Sequence, residues 1–237
     1  MTSSSYSIVV LTGAGISAES GLSTFRGAGG LWDGHRIEDV ATPEGFMADP
    51  AQVHRFYNQR RAQLKVVRPN AAHLALAELE RAWPGEFLLV TQNVDDLHEW
   101  AGSRRLIHMH GELARIRCVA CGGVFPWDGD SGQETPCPAC GRRPALRPHV
   151  VWFGEMPLEM ERIHAALERC GLFVAIGTSG NVYPAAGFVE MAGPAARTLE
   201  LNLERSLVAS AFQERRLGQA TALVPDLVRE LLATAAP

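Results

Sequence analysis

Apolar residues gather in this chain into short runs at 7–12, 87–91, 149–153, 172–176 and 198–203, each closed by Gly, Thr, Asn or Gln. Runs of that length, β-branched or leucine-rich, predict strands buried on both faces. Between them the apolar positions take helical spacing. Asp49-Pro50 predicts a helix over 50–66, with Asp as N-cap and Pro in the first turn. Pro69-Asn70 opens another over 71–82, in which Leu74, Ala75, Leu79 and Ala82 suggest one apolar stripe. Further helices are expected at 95–101, 158–169, 184–192 and 225–234. Strands alternating with helices predict an α/β protein with a parallel, doubly wound sheet covered on both faces.

The segment 114–147 breaks that rhythm. It is rich in Gly and Pro, too poor in core formers to fold on apolar burial alone, and carries Cys118-x-x-Cys121 and Cys137-x-x-Cys140. Two such pairs fifteen residues apart have the spacing that surrounds one tetrahedral zinc with four thiolates. Four sulfurs close the coordination, so the ion is expected to be structural. Cys170 stands alone and reads as a small buried apolar side chain.

At 237 residues, 46% apolar and 20% charged, the chain has ordinary globular values. A net charge of -4 gives no basic footprint, so no nucleic-acid partner is expected. No apolar stretch approaches the roughly 20 residues of a membrane span, and the N-terminus lacks a secretory pattern. A cytoplasmic location, where thiols stay reduced, is therefore expected.

The first apolar run ends in Gly13-Ala14-Gly15-Ile16-Ser17, a loop able to turn backbone N–H groups towards a phosphate. The glycines alone fit a ligand-free strand-to-helix turn equally well. The acidic group that closes the second strand of a dehydrogenase is missing: Asp33 and Glu38-Asp39 fall among Gly and Pro in what reads as loop. Three further strand ends are polar. Gln92-Asn93-Val94-Asp95 follows the run 87–91, where Asp95 or Asp96 also fits as a helix N-cap. Gly177-Thr178-Ser179 follows 172–176, and Asn202-Leu203-Glu204 closes 198–203. His108 and His110 share one face of an extended run, and His110 beside Gly111 suits a general base near neutral pH.

Together with Thr24-Phe25-Arg26, the cysteine quartet and Val151-Trp152-Phe153-Gly154-Glu155, these motifs run in the order of the sirtuins, and the chain resembles that family of NAD-dependent protein lysine deacylases over nearly its whole length. The resemblance implies a Rossmann-like NAD-binding domain (1–30, 71–113 and 148–237) and a smaller helical and zinc-binding domain (31–70 and 114–147). It implies that Gly13, Ala14, Gly15, Ile16 and Ser17, with Gly177, Thr178 and Ser179, face the NAD phosphates. Phe25 and Arg26 would meet the nicotinamide ribose, with Trp32 a further cofactor contact. Gln92, Asn93, Val94 and Asp95 would form the nicotinamide end, and Asn202, Leu203, Glu204 and Ala220 the adenosine end. His110, assisted by Asn93, would take a proton from a ribose hydroxyl after the acyl oxygen displaces nicotinamide. The products would be free lysine and O-acyl ADP-ribose.

The partners so implied are acylated lysine side chains of proteins, with Val151, Phe153 and Gly154 pairing with the peptide backbone as an extended edge. Tyr57 and Arg60 lie three apart on one helix face. Spacing alone favours core packing for Tyr57 and a solvated role for Arg60, like its neighbours Arg55 and Arg61. The resemblance extends to the sirtuin branch that removes succinyl, malonyl and glutaryl groups, where such a pair reads the acid end of the acyl chain. It implies the same here, with Ala41 at the pocket floor. Mono-ADP-ribosyl transfer, deacetylation without acidic preference, and a catalytically silent NAD-sensing module are the competing readings.

Overall fold

The structure, a computed structural model, describes residues 6–23 and 35–235. Thr24, Phe25, Arg26, Trp32 and Asp33 lie outside the described residues. The first three strands are β1 (Ile8–Thr12), β2 (Phe87–Thr91) and β3 (Leu106–His108). A second group is β4 (Gly111–Cys118), β5 (Val124–Pro126) and β6 (Leu146–Val150), and the last three are β7 (Leu172–Ile176), β8 (Arg197–Asn202) and β9 (Glu214–Leu217). The helices are α1 (Gly15–Ala18), α2 (Ile37–Val40), α3 (Pro43–Ala48), α4 (Pro50–Leu64), α5 (Ala71–Ala82), α6 (Leu97–Ala101), α7 (Met160–Arg169), α8 (Phe188–Met191) and α9 (Ala220–Ala235).

Six strands form one parallel sheet in the order β3-β2-β1-β7-β8-β9. Strand order reverses between β1 and β7, and a doubly wound sheet opens its ligand crevice at such a point. Side chains alternate across the sheet. Ile8 and Val10 join the core under α5 and α9, whereas Val9 and Leu11 join the core under α7 and α8. All five residues of β1 are buried, as are all five of β7, which explains why these strands read as unbroken apolar runs.

The smaller antiparallel sheet, β5-β4-β6, packs Ile116, Ala145 and Leu146 against Cys118 and Cys137. Helix α4 is tied to it by polar contacts. The His54 ring and the Ser131 hydroxyl lie 2.9 Å apart, Asn58 donates to the Ser131 carbonyl at 2.9 Å, and Arg61 donates to the Leu113 carbonyl at 2.8 Å. Arg61 is therefore buried and engaged, not solvated as its neighbourhood suggested.

Helix α4 begins as its sequence predicts, with the Asp49 carboxylate accepting from the Gln52 N–H and Pro50 in the first turn. Elsewhere the elements differ from expectation. Leu74 and Ala82 of α5 face solvent, and the apolar face runs through Ala72, Ala75, Leu76 and Leu79, because the helix packs beneath both the sheet and α9. The run 149–153 is not a core strand: its first two residues end the antiparallel β6, and 151–153 leave the sheet. Helix α9 starts at Ala220 and carries Pro225 in its second turn. Glu38 and Asp39 lie in the one-turn α2.

Chain passage from the large sheet to the small one is abrupt. After β3 the backbone turns at Gly111 (φ +81°), where an added Cβ would lie 2.1 Å from the His149 carbonyl oxygen. The Val151 N–H donates to the His110 carbonyl at 2.8 Å, closing the same crossing. Gly111→Ala combines a left-handed backbone with a backbone clash, and is expected to lower unfolding free energy by about 2–4 kcal/mol. Urea denaturation measures this, and an unchanged midpoint would contradict the crowding.

Candidate active site

Two loops meet at the point where strand order reverses. The Gly13 N–H donates to the Ile176 carbonyl at 3.0 Å and the Gly15 N–H to the Gly177 carbonyl at 2.8 Å. A Cβ on Gly15 would fall 2.6 Å from the Gly177 Cα, and Gly177 itself has φ +61°. Only glycine allows both backbones so close. The helix that follows, α1, is a single turn whose N-cap, Ala14, offers no side-chain bond. Beyond this contact lies a cavity of about 730 Å³, within the roughly 300–1,000 Å³ of small-molecule and cofactor sites.

Gly13, Ala14 and Gly15 line it on one side, Gly177, Thr178 and Ser179 on the other. Asn202, Leu203 and Glu204 form one end, with Ala220 at the start of α9. The Asn202 amide donates to the Thr178 carbonyl at 2.7 Å, and Gln92 donates to the Thr178 hydroxyl at 3.0 Å. Glu19 accepts from the Thr221 N–H at 3.2 Å, so the loop after β1 also caps α9. Gln92, Val94 and His110 line the middle. Sequence reasoning missed Asn181, Arg205 and Gln219, which also line the cavity from irregular segments without any periodic signal.

Ile16, Ser17, Asn93 and Asp95 lie behind this wall rather than on it. Ile16 is fully buried in the core, while Ser17 donates to Asp95 Oδ2 at 3.1 Å and accepts from the Asn93 amide at 3.2 Å. Burial raises the Asp95 pKa to about 6, against the lowering effect of hydrogen bonds from the Leu97 N–H and Ser17. Asp95 thus serves as both a turn acceptor for α6 and an anchor for Ser17. The Asn93 amide also donates to the Gly13 carbonyl at 3.1 Å, while its buried Oδ1 has no partner. A buried acceptor left unpaired is unfavourable.

His108 and His110 hold successive carbonyls of the same loop. The His108 Nδ1–H donates to the Asn93 carbonyl at 3.1 Å, and the His110 Nδ1–H to that of Gln92 at 3.0 Å. Burial favours the neutral form of both rings. At His108 the hydrogen bond and charge of Glu99, 2.7 Å from Nε2, outweigh burial and raise the pKa above the usual value. His110 has no such carboxylate, and burial lowers its pKa despite the Gln92 carbonyl. With the proton on Nδ1, His110 keeps a basic Nε2 on a ring that lines the cavity.

At the other end, Ala41, Tyr57 and Arg60 line the cavity. Tyr57 is buried beside Trp152, whose indole N–H donates to its hydroxyl at 2.9 Å. The half-buried Arg60 guanidinium lies 3.8 Å over the Phe56 ring. Val151, Phe153 and Gly154 also line this wall, but the N–H groups of Val151 and Phe153 already donate to the carbonyls of His110 and Ala41.

The sulfurs of Cys118 and Cys140 stand 3.8 Å apart, those of Cys121 and Cys137 3.7 Å apart, and all four lie within 4.8 Å of one another. A tetrahedron with zinc–sulfur bonds of about 2.3 Å has edges of about 3.8 Å, so this quartet is compatible with one structural zinc ion. No helix among the described residues is long and apolar enough to cross a membrane.

The strand order, with its crevice at the reversal point, is that of the dinucleotide-binding α/β proteins. Within that class, residues 13–184 match the model of the Sir2 family, and the chain belongs to that family. It is similar to a protein of Pasteurella multocida named NAD-dependent protein deacylase, with 59% identity over 228 residues covering 95% of this chain and 97% of that protein. A protein of the same name from Escherichia coli is 58% identical over 228 residues, covering 95% of this chain and 82% of that protein. Among solved structures, a Sir2 homologue in complex with NAD matches with a TM-score of 0.89 and 38% identity, covering 99% of this chain and 92% of that chain.

Two measurements test the electrostatics and the metal. In an NMR titration His108 is expected to lose its proton above, and His110 below, the ordinary histidine value of about 6.5. Glu99→Gln should move His108 down and leave His110 in place; the reverse order of the two rings would refute the assignment. Elemental analysis should find one zinc per chain. Cys121→Ser should lose it and expose the 114–147 segment to protease before the parallel sheet unfolds, whereas metal loss without loosening would show that the ion does not hold the module.

Proposed function

We propose that this chain is an NAD-dependent protein lysine deacylase that removes acetyl groups and, preferentially, acid-ended acyl groups such as succinyl and malonyl. The observation that carries the reading is His110: its Nδ1–H is committed to the Gln92 carbonyl, and its other nitrogen remains a base beside the glycine loops. NAD, when bound, supplies the ribosyl–nicotinamide bond that breaks and the ribose hydroxyls that receive the acyl group.

The chain's own residues hold, orient and deprotonate. In the two glycine loops the Gly13, Gly15 and Gly177 N–H groups hold the crossing itself, and the backbone N–H groups of Ala14, Thr178 and Ser179 are the donors assigned to phosphates. The loop of Gln92 to Asp95, its carbonyls pinned by His108 and His110, is assigned to the nicotinamide end, with Gln92 and Val94 on the cavity wall and Asn93 bracing the Gly13 carbonyl behind it. Phe25 and Arg26 are assigned to the reacting ribose, and Trp32 to a further cofactor contact, by family resemblance alone. Nicotinamide leaves as a neutral group, so positioning, water exclusion and one neutral-pH base are sufficient. The closed cysteine quartet fits a scheme without metal-bound water.

The acyl reading rests on Tyr57 and Arg60 standing together at the cavity end beside the small Ala41. A phenol and a guanidinium suit a carboxylate better than a methyl group. We assign 31–70 with 114–147 to the smaller domain, a division supported by the contacts of α4 with Ser131. Acylated lysines of cytoplasmic proteins are the proposed substrates.

Incubation with NAD and matched acetyl-, succinyl- and malonyl-lysine peptides, followed by mass spectrometry, should yield nicotinamide, free lysine peptide and O-acyl ADP-ribose. Nicotinamide release without acyl peptide would favour ADP-ribosyl transfer instead. Losing a charged hydrogen bond of about 1.5–3 kcal/mol, Arg60→Met should lower desuccinylation kcat/KM roughly ten- to hundredfold and deacetylation far less. Equal losses, or none, would remove Arg60 from acyl readout.

A further inference from the structure

The Tyr57 hydroxyl has a fixed polarity. It accepts a hydrogen bond from Trp152 Nε1 at 2.9 Å. An indole N–H donates and never accepts, so the phenol oxygen is the acceptor there and its own proton turns away from Trp152. Burial holds the Tyr57 pKa well above that of a free phenol, outweighing the Trp152 hydrogen bond and the nearby Arg147 and Arg60 charges. The proton therefore stays on the oxygen through the working pH range.

The indole cannot easily turn. The Arg147 guanidinium lies 3.3 Å over its face, and the Phe46 ring stands 5.2 Å away by centroid. The Trp152 backbone N–H donates to Glu155 Oε2 at 2.8 Å. Glu155 is gripped by Arg147 at 2.7 and 3.0 Å and by Arg117 at 2.9 Å. Arg147 also donates to the Val150 carbonyl at 2.9 Å, fixing the backbone just before the indole. Two arginines and a carboxylate thus set the direction of one N–H.

We propose that Trp152 is a positioning residue for acyl specificity: by donating to Tyr57 it leaves the phenol O–H as a donor towards the cavity, selecting an acyl chain that ends in a hydrogen-bond acceptor, a carboxylate above all. This rests on the reading of Tyr57 and Arg60 as the acyl-end contacts. Phenol and guanidinium then present donors only, a combination that matches a carboxylate. A phenylalanine at 152 keeps an aromatic ring against Arg147 but frees the phenol to accept as well as donate.

Trp152→Phe is expected to raise KM for a succinyl-lysine peptide roughly five- to tenfold, with kcat within about twofold, as preorganisation is lost. The succinyl-to-acetyl ratio of kcat/KM falls by the same factor. Trp152→Leu, which also removes the donor, should give the same direction. In a Tyr57→Phe background the Trp152→Phe change should move the ratio less than about twofold, since Trp152 acts through that hydroxyl. Equal losses with both peptides would overturn the proposal. A ratio unmoved by Trp152→Phe but lowered by Tyr57→Phe and Arg60→Met would overturn the role of Trp152 and leave the acyl reading intact. A ratio unmoved by Tyr57→Phe and Arg60→Met would overturn both.

Discussion

The constraint on which the site depends is backbone against backbone: Gly15 on Gly177, where a single added carbon would meet the facing Cα at 2.6 Å. The two central strands, β1 and β7, can open a crevice at their ends only if the loops leaving them cross without side chains. Everything else in the site is arranged about that crossing. Gln92 reaches Thr178 from the next strand, Asn93 reaches the Gly13 carbonyl, and Asn202 reaches the Thr178 carbonyl from the other side. Four strand ends are thus stitched into one wall by amide side chains, each both positioned by the sheet and holding a neighbour.

A second dependence runs along the chain rather than across it. The residues from β3 to β4 pass through His108, His110, Gly111 and on to Cys118. The sharp turn at Gly111 therefore joins the candidate base to the strand that carries the first thiolate. The cysteine module is not a remote ornament. It anchors the far end of β4, while the Val151 N–H grips the His110 carbonyl at the near end. Chemistry and metal are separated in space but share a backbone.

How legible this was in the sequence follows from how local each signal is. The buried strands β1, β2, β7 and β8 showed as apolar runs because both faces of a covered sheet are dry, and α4 announced itself through Asp49 and Pro50. The cysteine quartet and the glycine loops were readable because few residue types tolerate those geometries. The phase of α5 was not: Leu74 looked like core and is exposed, because Ala72 and Leu76 pack between sheet and α9, a contact decided far along the chain. The exit of 151–153 from its strand was equally hidden, since it depends on hydrogen bonds to His110 and Ala41. Arg61 read as solvated until its partners on Leu113 and Asn58 were in place. Resemblance supplied what spacing could not at Tyr57 and Arg60, where one helix face serves packing and the cavity together.

The central position of β1 has a consequence for synthesis. Gly13 is made roughly 160 residues before its partner Gly177. At about 5–20 residues per second, the first loop waits roughly ten to thirty seconds for the strand that completes its crevice. During that interval β1 has only β2 beside it, and its other edge is open to foreign strands. A sheet whose central strand precedes most of its neighbours in the chain is most vulnerable to misassembly while still being made.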